Sequence, residues 1–384
     1  MAIAEDIVIA GAGPVGAVCA LALKQGGLNP LVLEVRAIDV AVNDKRTLAL
    51  SYGSRLILER LGVWTHLTEA TPITRIHISH KGGLGRAALS AAEEGVPALG
   101  YVLAYGQLHH ALETALGEAG VNVSYGTPVE DILHGADAAI IKTGGEHPKE
   151  LAVRLAVIAD GGRGGKAGQP VFSRDYHQVA IVADVVTELP HQGLAYERFT
   201  PDGPVALLPN GKGFSLVWVN PPEKAEHIMS LDDVQFLTAL HEHFGGRQGR
   251  FVSTCPRARF PLKLDYRGVR AGARVVRIGN ASQTLHPVAG QGFNLGLRDA
   301  WELAQSCLET PPESLGGQQQ LRAFSASRRK DALPGIGFTD VLVKSFSTSN
   351  FFLHHLRGAG LMALQALPPV RHFVARRMLF GRHG

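Results

Sequence analysis

Three glycines spaced as Gly11-x-Gly13-x-x-Gly16 stand between an apolar run, Asp6 to Ala10, and a helical stretch through Ala20, Leu21 and Leu23. In that setting the first glycine permits a tight turn. The second lets the backbone approach a pyrophosphate, and the third lets the helix pack on the strand. The helix N-terminus offers N–H groups and a positive dipole end to phosphate. Leu31-Val32-Leu33-Glu34 reads as the next strand. Glu34 at its end can accept hydrogen bonds from a ribose diol and would repel a 2′-phosphate. Strand, turn, helix and strand fill about 30 residues, the length of a parallel β-α-β unit. Gly11, Gly13, Gly16 and Glu34 are therefore the expected dinucleotide contacts.

A second glycine-rich region, Gly279 to Asp299, leads from a short strand, Arg274 to Ile278, into a helix carrying Leu297, Ala300, Trp301 and Ala304 on one face. A plain nicotinamide dehydrogenase has no need of such a loop so far downstream. A flavin does, because its reduced ring carries negative charge. Backbone N–H groups at Gly290, Gln291 and Gly292, at a helix start, would stabilise that charge. Two separated turns thus serve the two ends of one FAD. His286 lies in this loop and titrates near neutrality, which makes it a candidate proton relay; Pro287 beside it suggests a shape role against the ring.

These segments resemble the class A flavoprotein aromatic hydroxylases, the family of para-hydroxybenzoate hydroxylase, and within it the ubiquinone-biosynthesis hydroxylases. The likeness spans nearly the whole chain. It takes in Lys45-Arg46-Thr47-Leu48-Ala49-Leu50, Glu197-Arg198-Phe199-Thr200-Pro201-Asp202-Gly203 and Ser327-Arg328-Arg329 with Asp331. The resemblance implies an α/β fold: a Rossmann-like FAD-binding domain with an inserted antiparallel-sheet substrate domain and a helical C-terminus. It implies a monooxygenase that uses NADH or NADPH and O2, through a flavin C4a-hydroperoxide, to hydroxylate a prenylated phenol. It gives Arg46 a place at the flavin and the substrate mouth, so Arg46 joins His286 and Pro287 as a catalytic candidate. It adds Gln107, Asp160, Asn280 and Asn294 to the cofactor contacts. The chain departs from the family at Asn280, where Asp is usual. It departs again at Asp160-Gly161-Gly162-Arg163-Gly164-Gly165-Lys166, where a Ser is missing.

The elements that position these residues follow from length and pattern. The chain has 384 residues, 45% of them apolar and 19% charged, enough for two domains with sizeable cores. The expected division is an FAD-binding domain over 1–72, 98–172 and 270–335, a substrate domain over 73–97 and 173–269, and a C-terminal helical segment over 336–384. Helices are expected near Gly53 to Leu61 and through Leu108, Ala111, Leu112, Ala115 and Leu116. A strand is expected over Leu151 to Ala159. Antiparallel strands are expected between Tyr176 and Val219, where β-rich runs alternate with Pro201-Asp202-Gly203 and Pro209-Asn210-Gly211.

The remaining features bound the partners. Cys19, Cys255 and Cys307 form no Cys-x-x-Cys pair, and the 17 histidines show no metal-ligand spacing. Glu5 and Asp6 lead directly into the first apolar run, so no secretory leader is expected, and a cytoplasmic setting follows. No run reaches the roughly 20 residues of a membrane-spanning helix. No nucleic-acid partner is expected. Net charge is +4, but from Leu321 onward ten Lys and Arg face two Asp, about +8 against −4 for the rest. Phe373, Val374, Met378, Leu379 and Phe380, flanked by Arg371, Arg376 and Arg377, could face an anionic membrane surface or pack on the sheet domain. Competing readings are another phenol hydroxylase, a prenyl-lipid reductase, a non-catalytic flavoprotein of a quinone-biosynthesis assembly, and a plain NAD dehydrogenase.

Overall fold

A computed structural model of the chain describes residues 3–38, 46–83, 85–162, 170–267, 274–284, 291–346 and 351–383. Lys45, Arg163, Lys166, His286, Pro287 and Gly290 lie outside them.

The first part of the chain runs β1 (Glu5–Ala10), α1 (Pro14–Gln25), β2 (Leu31–Leu33), β3 (Thr47–Ser51), α2 (Tyr52–Arg60), β4 (Thr71–Ile73), β5 (Arg75–His80), β6 (Arg86–Ser90), β7 (Gly100–Ala104) and α3 (Tyr105–Glu118). It continues through β8 (Asn122–Ser124), β9 (Val129–Leu133), β10 (Ala139–Thr143) and β11 (Glu150–Ile158). Strand β1 pairs in parallel with β2 and β11, and β2 with β8; β10 and β9 add an antiparallel edge. Central strands of such a sheet are covered on both faces and must be apolar throughout. Leu155, Ala156, Val157 and Ile158 are accordingly all buried. Small residues along α1, Gly16, Ala17, Ala20 and Ala22, let it lie closely between the sheet and Leu297, Ala300 and Ala304.

The middle of the chain is antiparallel: β12 (Phe172–Thr187), β13 (Leu194–Phe199), β14 (Val205–Asn210), β15 (Gly213–Asn220), α4 (Pro222–Ser230), α5 (Asp233–Phe244), β16 (Phe251–Thr254) and β17 (Ala258–Tyr266). These strands join β5 and β6 in a nine-stranded sheet. Its outer face, with Ile181, Tyr196, Leu207, Leu216 and Trp218, packs on Phe236, Leu240 and Phe244 of α5. An Asp232–Gln235 capping box starts α5 by satisfying two of its free backbone donors. Near its end His243 lies 5.1 Å from the Trp218 ring, and burial, reinforced by Lys81 and Lys224, pushes its pKa down to about 4. The unfolded chain binds this proton near pH 6.5 and the folded chain does not. Stability is therefore lost as pH falls from about 6.5 to about 4, by roughly 3 kcal/mol from this group. Urea melts of wild type and His243→Leu at pH 7 and pH 5 check this. The wild type should lose more stability than the variant on acidification, and parallel losses would contradict it.

The chain ends with β18 (Val275–Arg277), β19 (Gln283–Thr284), α6 (Gln291–Leu308), α7 (Gln318–Phe346), α8 (Phe351–Ala366) and α9 (Pro368–Phe380). Strand β18 returns to the parallel sheet beside β11, and β19 pairs with β17. A small sheet, β3-β7-β4, lies between the two large ones. Its Val102 packs with Ala195 and Ile73, and Thr47 Oγ1 hydrogen-bonds Ser215 Oγ of the inserted sheet.

Helices α6, α7 and the C-terminal end meet at a buried charge cluster. Arg328 donates to Asp299 (2.7 Å), Glu302 (2.6 Å) and Asp331 (2.8 Å); Asp331 also takes Arg298 (3.0 Å) and the Arg382 N–H (2.9 Å).

Candidate active site

The turn after β1 holds Gly11 at φ +108°, where a side chain would press on the Ala159 carbonyl at 2.8 Å. A side chain at Gly16 would collide with the Gly11 carbonyl. Gly13 differs. Its φ is −64°, open to any residue, and a Cβ there would meet nothing within 4 Å. Helix α1 begins at this open point with Pro14 and no side-chain cap, so its first N–H groups face outward without a side-chain acceptor.

The second glycine-rich region comes to the same place. Gly279, at φ +62°, and Gly296 each bring their missing Cβ within 3.0 Å of Val15 on α1. Asn280 is exposed on the turn that follows β18, and no described residue hydrogen-bonds its amide. The Gly162 backbone passes beside the Asn280 carbonyl, and Asp160 closes that turn by accepting the Gly162 N–H at 2.9 Å. Two turns about 265 residues apart in sequence thus share one helix N-terminus at the carboxyl ends of the parallel strands, where open α/β sheets bind ligands. Asp299 holds the second turn by accepting the Gly279 N–H (3.2 Å) and Gln283 Nε2 (3.1 Å).

The other expected residues have definite places. Glu34 is buried; one oxygen accepts the Ala12 N–H at 2.8 Å, the other the backbone and side chain of Arg36 at 3.0 and 3.1 Å. The oxygen that accepts from Ala12 keeps a lone pair for a ribose hydroxyl, while Arg36 occupies both lone pairs of the other. Arg46 is exposed at the start of β3, its guanidinium 5.4 Å from the Tyr105 ring and 5.9 Å from that of Phe260. It thereby bridges the α3 end and the inserted sheet. Gln107, in the first turn of α3, donates to Glu69. Asn294 is committed to the protein. Its Oδ1 accepts the Ser51 N–H (2.8 Å) and the Ser54 hydroxyl (2.7 Å), and its Nδ2 donates to the Ala49 carbonyl (2.9 Å). It ties α6 to β3 and α2. Gly292 lies in the first turn of α6, which Gln291 opens.

The residues fit a bound dinucleotide: a helix end without a side-chain cap, open space at Gly13, an acid for the ribose and an exposed amide at Asn280. The chain matches the FAD binding domain family over residues 4–332, and it belongs to that family. It is an FAD-binding flavoprotein. It is 30% identical to the ubiquinone hydroxylase UbiL of Rhodospirillum rubrum, over 97% of this chain and 89% of that protein. It is 29% identical to the 3-demethoxyubiquinol 3-hydroxylase of Escherichia coli, over 94% of each. The fold is similar to that of p-nitrophenol 4-monooxygenase PnpA from Pseudomonas putida, with a TM-score of 0.77, 19% identity and all of both chains covered.

Sequence reasoning missed the Asp299–Arg328 cluster as a support of the second turn. The acid, arginine and serine types were visible, but their convergence from α6 and α7 was not.

Proposed function

We propose that this chain is an FAD-dependent hydroxylase of a phenolic quinone precursor in ubiquinone biosynthesis, with NADH or NADPH as reductant. The observation that carries the reading is the meeting of both glycine-rich turns at the start of α1, opposite an inserted sheet reached through Arg46. The names of the relatives support the substrate class. Gly11, Gly13, Gly16, Glu34 and Asn280 would hold the nucleotide end, and Gln291 and Gly292, at the start of α6, would face the ring end with the helix dipole behind them. FAD bound there would supply the redox and oxygen-transfer chemistry. The protein's share is position and charge: Arg46 would place a cation between the start of α3 and the inserted sheet. The test is purification with FAD, then NADH oxidation with and without a prenylated phenol. Phenol-stimulated oxidation with a hydroxylated product is expected, and a phenol-indifferent rate would contradict the reading.

A reversible membrane contact belongs to the same proposal, in a form changed by α9. Ala375 and Leu379 are buried against Leu89 and Leu99, and Arg371 pairs with Glu93 at 3.2 Å, so this side of the helix is spent on packing. The exposed apolar residues are instead Met362, Leu367, Val370 and Phe373, the last 67% exposed. No helix among the described residues is long and apolar enough to cross a membrane. Apolar insertion beside basic residues, each contributing about 1 kcal/mol near anionic lipid, gives reversible binding. Changing Leu367, Val370 and Phe373 together to Ser should abolish most co-sedimentation with anionic vesicles. Unchanged sedimentation would contradict it.

A further inference from the structure

The inner face of the nine-stranded sheet carries two carboxyls in register, Asp184, which accepts from Asn210 Nδ2, and Glu197, which nothing yet described employs. Register places Glu197 of β13 beside Ala206 of β14, Ala206 beside Val217 of β15, and Val217 beside Val182 of β12. Paired residues of neighbouring strands point to the same face, so these four form one row. On one side of it lies the row of Ser215, which Thr47 touches. On the other lies the row of Val219, Ala180 and Phe260, which Phe260 brings to Arg46. Ala195 and Ser215 in the first flanking row are buried, as are Ala180 and Val219 in the second, yet all four residues between them are only half-buried. The inserted sheet therefore leaves a slot open between two contact rows, on the side facing β3. Strand β3 is itself tied by Asn294 to the start of α6. The slot has an apolar floor and one ionisable group.

We propose that Glu197 is the group that meets the phenolic hydroxyl of the substrate and accepts its proton. The inference rests on the phenol-hydroxylase reading above and adds a catalytic residue to it. No described residue hydrogen-bonds or ion-pairs with the Glu197 carboxyl. Its neighbours on this face are Ile78 of β5 and Ala206 of β14; His80 follows two positions along β5. Opposite, β3 and β7 present Thr47, Ala49, Val102 and Ala104, none charged. Arg198 points to the other face, and Arg46 is the cation at the rim. Burial without a compensating charge pushes the carboxyl up to about 8. An ordinary carboxylate is a poor base for a phenol, whose pKa is roughly 10. One raised to about 8 is matched to the task. In the step, the phenol O–H bond breaks and its proton passes to a Glu197 oxygen. The electron pair stays on the phenolic oxygen, which enriches the ring carbons toward an electrophilic oxygen.

The experiment uses the FAD-loaded full chain with 2-methoxyphenol and with 4-nitrophenol, which is already ionised near neutrality. Product formation is followed against pH for wild type, Glu197→Gln and Glu197→Asp. The wild-type rate on 2-methoxyphenol should rise through about pH 8. Glu197→Gln should lower it by about 100-fold and move the rising limb toward the phenol's own ionisation, while 4-nitrophenol is largely spared. Glu197→Asp should keep part of the activity and the limb. A second readout needs no turnover. The folded wild type keeps a proton that the unfolded chain loses near pH 4.5, so its stability falls as pH rises from there to about 8. Glu197→Gln should remove that slope. If Glu197→Gln keeps the wild-type rate and pH profile, the assignment of Glu197 is overturned. If the wild type binds FAD and hydroxylates neither of these phenols nor a prenylated phenol, the functional reading itself fails and this inference with it.

Discussion

Gly13→Val should yield a folded protein that binds no FAD. The two halves of that outcome have separate physical causes. Gly13 has an ordinary φ, and its Cβ direction is empty, so the fold accommodates a side chain there. The same empty direction borders the uncapped start of α1, where a phosphate must approach the backbone closely. A valine fills that space and displaces the phosphate from the helix N–H groups. The expected loss is at least 100-fold in FAD affinity, read as absence of the flavin spectrum at micromolar FAD, with an unchanged far-ultraviolet circular dichroism spectrum. Gly16→Ala is the contrasting variant. Its methyl would collide with the Gly11 carbonyl, so the turn itself must distort and stability should fall with binding. A yellow Gly13→Val protein would contradict the placement of the pyrophosphate.

Arg328→Ala should destabilise the protein by about 3–5 kcal/mol. Arg328 is 1% exposed and is the shared partner of Asp299, Glu302 and Asp331. Burial is tolerable for these carboxylates because one guanidinium donates to all three. Removing it leaves Asp299, itself 1% exposed, without its cation. The effect should reach the cofactor as well, because Asp299 holds the Gly279 N–H at the second turn. Urea unfolding in saturating FAD measures the first effect and FAD titration the second. Arg328→Lys keeps the charge but cannot span three acids, so it should fall between. A loss below about 1 kcal/mol for Arg328→Ala would show that the cluster is not a support of the fold.

Local patterns in the sequence carried the parallel unit well, because each signal sits within a few residues. Gly11, Gly13 and Gly16 announce a turn into a helix, and Glu34 ends the next strand. Leu108, Ala111, Leu112, Ala115 and Leu116 are all buried along α3, as their helical spacing requires. Long-range ties were not legible. Asn294 reads as one more residue of a cofactor loop, yet its partners Ser51 and Ser54 lie more than 200 residues away. The C-terminal helical segment was expected from residue 336, yet α7 runs unbroken across that boundary and through Pro334, from Gln318 to Phe346. A proline removes one backbone hydrogen bond, and tertiary packing can sustain a helix across that loss. In α9 the apolar residues were visible, but not that the sheet of Leu89 would cover Ala375 and Leu379 and leave Phe373 outside. Glu197 was visible only as part of a familiar run. Its place in an open row depends on register across four strands, which no single segment specifies.

The most direct test of the account is the fate of molecular oxygen. The FAD-loaded chain is supplied with NADH and a prenylated phenol under ¹⁸O-labelled O2, and the product is analysed by mass. An FAD-dependent phenol hydroxylase places one labelled oxygen atom in the ring product for each NADH consumed in coupled turnover. A reductase, a carrier or an oxidase would instead leave the phenol without label, with NADH either untouched or spent on peroxide, and that result would contradict the account.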